Sequence, residues 1–230
     1  MSDEILSTTP RRGFLGRLAA GTAALGLTAF LPVTACAAEK TVATASDSTA
    51  GPKEPSEWPG ALKTKHKMII DAFAVNQGFP LAFAYTLAVP YASVTPSPVT
   101  AVIVLRHEGF PLALTDAIWA KYKIGSAMKI IDPATKKPAE RNPFFNPKPG
   151  ALFVEDMAID KLLAKGTIFG ACNVALHFMS SQFAAAGGVT ADVALKEWTA
   201  GIIPGIPIIP SGTWGVNRAQ EMGCTYCAGA

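Results

Sequence analysis

Five short runs of apolar residues alternate with helix-forming segments along this chain, and this alternation restricts its fold more than any other feature. The runs lie at residues 67–73, 99–105, 167–171, 206–209 and around 225–226. Strands that are buried on both faces of a parallel sheet read as unbroken apolar runs. Strands that alternate with helices form such a sheet, with helices on both faces. The sequence therefore predicts an α/β fold with three layers (α/β/α) and a five-stranded, mainly parallel sheet.

The segments between the apolar runs predict the helices. About 190 residues remain when the N-terminal 37 are set aside, which is enough to bury one full core, so we expect a single domain over residues 62–230. Helix stops support the boundaries, such as Gly166 and the pair Gly187-Gly188. The predicted helices cover residues 81–91, 114–122, 155–165, 173–186, 191–200 and 212–222.

A proline-rich insertion at residues 132–150 interrupts this pattern. It contains five prolines, a density that excludes a helix interior or a central strand. A segment this long without regular structure is often a lid or a partner-binding arm, although a tolerated surface insertion is equally compatible with the sequence. The adjacent Phe144 and Phe145 favour contact with something apolar.

The N-terminus has the pattern of a twin-arginine export signal. Arg11 and Arg12 are followed by Phe14 and Leu15, and then by a short run rich in Ala, Gly and Leu. The run is too short and alanine-rich for a permanent membrane span to be the better interpretation. We therefore expect residues 1–37 to be a signal peptide, residues 38–61 to be a flexible spacer, and the mature protein to be periplasmic.

Cys36 leaves two processing routes open. The sequence Val33-Thr34-Ala35-Cys36 has the small-residue form that precedes a lipid-modified cysteine, which would tether the domain to a membrane. The triplet Ala35-Cys36-Ala37 equally fits cleavage by a soluble-release peptidase. In the first case Cys36 is an anchor, and in the second it is lost.

The charge balance argues against a nucleic-acid partner. Removal of residues 1–37 takes away three arginines, Asp3 and Glu4, and leaves 17 basic residues against 15 acidic ones. A mature chain this close to neutral lacks the basic surface that nucleic-acid binding requires. The sequence also lacks a phosphate-binding loop, a serine-hydrolase elbow and paired metal-ligand motifs. We therefore expect neither a cofactor nor a metal.

Three polar or reactive residues follow the first three predicted strands, where ligands bind in open parallel sheets. They are Asn76, His107 and Cys172. Cys172 also precedes a predicted helix, whose N-terminus stabilises an anion and lowers the pKa of a thiol. From position alone, Cys172 is either a partly accessible reactive thiol or a small buried core residue. His107 is either a partner or proton donor for that thiol, or an ordinary loop histidine.

The C-terminal pair Cys224 and Cys227 has several interpretations. Three residues of extended chain span about 10 Å, which exceeds the roughly 7 Å that a disulfide allows. A disulfide therefore requires a turn there, and a zinc site would require further ligands. A redox or metal-binding pair remains an alternative to two structural cysteines.

Five stretches of the chain together resemble the DsrE/DsrF-like proteins, small α/β domains associated with sulfur handling. The resemblance covers residues 65–228, and it rests on the order and spacing of the stretches. They are the first strand with Phe73 and Asn76, the loop Arg106-His107-Glu108-Gly109, and residues 168–176, 202–212 and 220–226.

The resemblance implies a function and a topology. It implies strand order 2-1-3-4-5, assembly into a homo-oligomer, and a persulfide carried on Cys172 and exchanged with a sulfur donor or acceptor protein. The resemblance carries this role to Cys172 only. Position at the same edge of the sheet adds His107 as the second expected catalytic residue, and Asn76, Gly109 and Asn173 as expected ligand-binding residues. The alternatives are a non-catalytic periplasmic binding or oligomerisation module with structural cysteines, and a thiol-redox or metal-binding accessory that uses Cys224 and Cys227.

Overall fold

The computed structural model of the protein describes residues 57–229. Five strands form one sheet in which every pairing is parallel. Helices cover both faces of this sheet, so the predicted three-layer α/β fold is confirmed. The strands are β1 (His66–Ala74), β2 (Val99–Glu108), β3 (Ile168–Cys172), β4 (Ile208–Ile209) and β5 (Thr225–Ala228).

The helices occupy the segments between the apolar runs, as the sequence predicts. Three short 3-10 turns accompany them, at Asn76–Gly78, Phe110–Ala113 and Glu155–Met157. The helices are α1 (Phe79–Ser93), α2 (Asp116–Lys121), α3 (Ile124–Ala127), α4 (Ile159–Ala164), α5 (Asn173–Phe183), α6 (Ala191–Ala200) and α7 (Gly212–Glu221).

The strand order is 4-3-2-1-5 and differs from the expected order 2-1-3-4-5. Strands β1 to β4 are laid side by side in chain order, and the chain then returns to pair β5 with the free side of β1. Strand β3 therefore lies beside β2 and β4, and not beside β1. The apolar character of each strand predicts its burial but not its neighbour, which is why the sequence does not settle the order.

The first face of the sheet carries the larger core. Apolar side chains of the strands, such as Ile70, Ile103 and Phe169, pack there against residues of α1 to α6. Trp119 and Trp198 are fully buried in the same cluster. Burial of apolar surface contributes about 25 cal/mol per Å², so this larger cluster contributes more to stability than the smaller one on the other face.

The second face is covered by α7 and by the start of the described chain. Ile69, Val102 and Val104 pack there with Ala219 of α7 and with Trp58. Trp58 is buried and donates a hydrogen bond from Nε1 to the carbonyl oxygen of Phe169 at 2.8 Å.

The position of Trp58 corrects the predicted spacer, because residue 58 belongs to the folded domain. A side chain at Gly170 would collide with the Trp58 ring, since an added Cβ would lie 2.8 Å from it. The absence of a side chain at Gly170 therefore allows the indole to lie flat on the sheet.

The proline-rich insertion is fastened to the domain at its centre. Asn142 is fully buried and donates from Nδ2 to the carbonyl oxygens of Leu112 and Leu114, at 3.2 and 2.8 Å. Its Oδ1 accepts from the Phe144 amide, and the Phe144 ring is buried in the first-face core. The two phenylalanines thus contact this chain's own core, so residues 142–144 are not a free arm.

Within residues 57–229, no helix is both long enough and apolar enough to cross a bilayer.

Candidate functional site

The helices that follow β3 and β4 pack on opposite faces of the sheet. Helix α5, after β3, contributes to the first-face core, and α7, after β4, contributes to the second. Adjacent strands whose connections diverge in this way leave a crevice at their carboxyl ends, the usual place for ligands in open α/β sheets. Cys172 ends β3 at this crevice, and Ser211 follows β4.

Both residues cap the helix that they precede. The Cys172 Sγ accepts a hydrogen bond from the Ala175 amide at 3.3 Å, and the Ser211 Oγ accepts one from the Trp214 amide at 3.1 Å. A cap of this kind satisfies an amide that the first turn leaves unpaired. The Cys172 sulfur therefore lies where backbone N–H groups and the helix dipole favour a negative charge.

The accessibility of Cys172 differs from the expectation of a partly accessible thiol. Its exposed fraction is 5%, and it belongs to the first-face core cluster. Ala175 and Ala171 are buried beside it in sequence and in the same cluster. The N-cap geometry turns the side chain back over the first turn of α5, which hides the sulfur from solvent.

Arg106 lies on the strand next to Cys172. Leu105 pairs with Ala171 across β2 and β3, so Arg106 and Cys172 follow at the same level of two neighbouring strands. The Arg106 side chain also packs against Gly212 at the start of α7, where an added Cβ would lie 2.5 Å from it. Arg106 therefore lies directly beside the start of α7.

The Arg106 guanidinium is held by a buried carboxylate. Arg106 donates from Nε and Nη2 to the two oxygens of Asp71, and the Tyr226 hydroxyl lies 3.0 Å from Asp71 Oδ2. The hydrogen bond to Asp71 raises the pKa of Arg106, and a negative charge at Cys172 adds to that rise. Burial and the bond to Asp71 raise the pKa of Tyr226. Hydrogen-bonded side chains thus cross three neighbouring strands, β2, β1 and β5.

Sequence reasoning missed Asp71, Arg106 and Tyr226 as site residues. A signal was present, because Asp71 is the one charged residue inside the apolar run Met68-Ile69-Ile70-Asp71-Ala72. A buried carboxylate requires a paired cation, and Arg106 directly follows the apolar run of the adjacent strand. The pairing itself depends on β1 and β2 being neighbours in register.

His107 does not reach Cys172. Its backbone is left-handed (φ 47°), and the pairing of β1 with β2 shifts register at this level, between Ala72 and Ala74. Such a bulge re-aims the side chain, and the His107 ring stacks on Phe73 with ring centroids 4.2 Å apart. The His107 ring is therefore engaged with Phe73, whereas Arg106 is the residue of β2 that is level with Cys172.

The three predicted ligand-binding residues lie apart from one another. Asn76 is exposed in the turn after β1, with φ 38°. Gly109 lets β2 approach β1 closely, because an added Cβ would lie 2.1 Å from the Ala72 carbonyl oxygen. Asn173 is the first residue of α5 and lines a shallow surface depression with His177 and Phe178. The structure therefore gives Gly109 a packing role and separates Asn76 from Asn173.

Cys224 and Cys227 do not form a pair. Both thiols are free; Cys224 is buried in the second-face cluster, and Cys227 packs against the first-face core. Burial raises the pKa of both thiols. Cys224 directly precedes β5 and Cys227 lies within it, and their packing against the two different clusters separates the thiols. Cys36 lies outside the described residues, as do the export signal and most of the predicted spacer.

Residues 57–229 hold no group of three or more His, Cys, Asp or Glu side chains that could bind a metal ion. The crevice holds the Cys172 thiol, whose sulfur accepts one backbone amide, and the ion-paired Arg106 guanidinium lies on the neighbouring strand. Amide donors at a helix N-terminus are the kind of partner that a sulfur anion prefers.

Comparison with protein-family models and with curated proteins gives no match to this chain. Among solved structures, the chain is similar to a protein of unknown function from Methanobacterium thermoautotrophicum. The two are 13% identical with a TM-score of 0.38, and the match covers 71% of this chain and 99% of the other. A likeness of this degree carries no statement about function.

Proposed function

We propose that this chain is an exported DsrE-like protein that binds sulfur as a persulfide on Cys172, for exchange with a partner protein. The observation that carries the proposal is the position of the Cys172 Sγ at the N-cap of α5, where it accepts the Ala175 amide at 3.3 Å. A persulfide is an anion at neutral pH, so the same amide and helix dipole that favour a thiolate also favour the product.

Arg106 supports the same proposal from the neighbouring strand. Its two hydrogen bonds to Asp71 hold the guanidinium in one orientation, next in register to Cys172. A charge fixed in this way does not have to be ordered when the anion forms, so its attraction is obtained at little entropic cost.

The chemical step needs a sulfane-sulfur donor, and inorganic polysulfide is the simplest one. The Cys172 thiolate attacks a terminal sulfur, one S–S bond forms at Cys172, and one S–S bond of the polysulfide breaks. The leaving group is a polysulfide one sulfur shorter, which keeps the electron pair of the broken bond. No external oxidant or reductant is consumed.

Burial of the thiol sets a condition on this function. Since Cys172 is only 5% exposed, the first turn of α5 must open transiently before a donor can reach the sulfur. Local opening of a helix end requires less free energy than global unfolding. Loading by a small donor should therefore be slow, and a partner protein that engages this edge of the sheet would accelerate it.

Polysulfide loading followed by mass mapping tests the proposal. Trypsin releases Cys172 in the peptide of residues 166–196, separate from Cys224 and Cys227, which lie beyond Arg218. We expect a gain of one sulfur, about 32 Da, on the Cys172 peptide of the wild type and of the Cys224→Ala/Cys227→Ala variant. Cys172→Ser is the matched control, because serine retains an N-cap oxygen but has no thiol.

Two outcomes contradict the proposal. A gain confined to the peptide with Cys224 and Cys227 would move the sulfur chemistry to the C-terminal strand. No gain on any peptide, with a Cys172 that also resists alkylation until the protein is unfolded, would make Cys172 a core residue.

A second candidate function is a non-catalytic periplasmic binding module with structural cysteines. The observation that favours it is the burial of Cys172 and Cys224 in the two core clusters. Under this alternative, Cys172→Ser retains every binding property of the wild type. A homo-oligomer and a lipid tether at Cys36 fit either candidate and are part of the proposal.

A further inference from the structure

Two adjoining clefts lie beyond the carboxyl ends of β1 and β2, apart from Cys172. The larger has a volume of about 740 Å³ and the smaller about 380 Å³. They share the lining residues Glu108, Met128 and Lys129, so they form one trough, here called the β1–β2 cleft. Its size is within the range of small-molecule sites. Cys172 and Arg106 line neither part.

The backbone around this cleft is strained at an unusual number of positions. The structure places seven non-glycine residues at positive φ within its described range. Left-handed backbone costs a residue with a side chain conformational energy, and such residues concentrate at binding sites. Five of the seven line the cleft: Asn76, Gln77, His107, Lys129 and Lys136.

The two strained lysines have no carboxylate partner among the described residues. Lys129 and Lys136 form no ion pair within 4.0 Å there, and neither does Glu108, the one acidic residue of the lining. The lining therefore has one more positive than negative charge, not counting His107. Both lysines line the larger part of the cleft, so a ligand there would find two cations without an internal carboxylate partner among the described residues.

The walls of the cleft are apolar and partly uncovered. Phe79 and Phe153 line the larger part with ring centroids 6.1 Å apart, and they are 42% and 68% exposed. Ile131 on the same wall and Phe178 in the smaller part are also exposed. Large apolar side chains gathered around one concave surface favour an apolar ligand body.

From these features we infer that the β1–β2 cleft binds a small organic anion with an apolar body, of the carboxylate class. The charged head lies at Lys129 and Lys136, and the body lies against Phe79 and Phe153. Charge complementarity selects the anion, because the cation excess has no internal partner. This site is independent of sulfur binding at Cys172.

Calorimetric titration with matched acids and alcohols tests this site on the full chain. Octanoate and 1-octanol represent an alkyl body, and 3-phenylpropanoate and 3-phenylpropan-1-ol represent an aryl body. We expect saturable one-to-one binding of at least one acid and about fivefold weaker binding of its alcohol, the upper end for an exposed ion pair. The acid that binds more tightly identifies the body.

Variants locate the binding. Lys129→Gln and Lys136→Gln should each weaken acid binding about threefold, while binding of the alcohol stays unchanged. Phe153→Ser should weaken acid and alcohol alike. Lys196→Gln, an exposed lysine on α6, is the matched control and should change nothing. The inference is overturned if neither acid binds, if the alcohol binds as tightly as its acid, or if binding is the same in all four variants.

Discussion

Arg106 donates two hydrogen bonds to Asp71, from Nε to Oδ1 at 2.6 Å and from Nη2 to Oδ2 at 2.7 Å. The pair joins the two central strands β2 and β1, and it ends beside the thiol of the next strand. A bidentate pair of this kind fixes the guanidinium plane. It therefore ties β1 to β2 through their side chains as well as through their backbones.

Replacing Asp71 should destabilise the protein more than replacing Tyr226, which also hydrogen-bonds to the Asp71 carboxylate. Asp71→Asn leaves Arg106 with its charge unpaired, which we expect to lower the free energy of unfolding by about 2–3 kcal/mol. Tyr226→Phe removes one hydrogen bond to Asp71 and should cost about 1 kcal/mol. Urea unfolding measures both values. Asp156→Asn is the control, because Asp156 pairs with the exposed Lys165. It should leave the urea midpoint unchanged. Equal losses of stability in all three variants would contradict this prediction.

The charged pair also illustrates what the sequence can and cannot predict. The apolar runs predict the class of fold and nearly every element, because burial on both faces is a local property of each strand. The partners of Asp71 and Arg106 follow only from the strand order, which depends on how the crossovers pack. The sequence predicts Cys172 at a strand end and a helix start, and the structure has it there. Its burial depends on the rotamer at the N-cap, which residue type does not determine.

The insertion shows the same limit. Its prolines predict irregular structure at residues 132–150, and Phe144-Phe145 predicts an apolar contact. The apolar partner is this chain's own core, because Asn142 fastens the segment there. Its three buried hydrogen bonds replace the regular backbone pairing that the prolines prevent. A buried asparagine cannot be distinguished from an exposed one by sequence alone.

The stability of the protein should decrease above about pH 9. The folded state raises the pKa of Cys224 and Cys227 by burial, so it retains protons that the unfolded chain releases near its ordinary thiol pKa of 9.0. Stability is then lost as pH rises from the unfolded pKa through the folded one. The pKa of Tyr226 is also raised, by burial and by the hydrogen bond to Asp71. Tyr226 therefore adds to the loss of stability above about pH 10.

Urea midpoints at pH 8.0 and 9.5 measure this dependence. In the Cys224→Ala/Cys227→Ala variant the decline over this interval should be much smaller, whatever its absolute stability. An unchanged decline in that variant would show that these thiols do not cause it.

Limited trypsin digestion should distinguish two bonds within the insertion. Cleavage within residues 62–230 should occur first after Lys136, which is exposed in a loop. Cleavage after Arg141 should be slow, because its guanidinium donates to the carbonyl oxygens of Phe145 and Asn146 and pairs with Asp116. Asn142→Ala removes three buried hydrogen bonds and should lower the free energy of unfolding by about 2 kcal/mol. In this variant the peptide bond after Arg141 should become readily cleaved. Early cleavage after Arg141 in the wild type would contradict the packed insertion.

Export by the twin-arginine route is tested by replacing Arg11 and Arg12 with lysine. The paired guanidinium groups are the recognised feature, so the double variant should remain in the cytoplasm as the folded precursor. Normal export of this variant would rule out the assignment. Incorporation of radiolabelled fatty acid that is lost in Cys36→Ala would identify a lipoprotein, whereas an unlabelled wild type would indicate release.

The central claim is that Cys172 carries sulfur, and the most direct measurement is mass spectrometry of the protein isolated from the cells that naturally produce it. Thiols and persulfides are alkylated at lysis, and the tryptic peptide of residues 166–196 is then weighed without added polysulfide. The account predicts a fraction of this peptide about 32 Da heavier than its alkylated thiol form, and no such gain on the peptide with Cys224 and Cys227. A Cys172 peptide found only as the free thiol, in protein that polysulfide also fails to load, would contradict it.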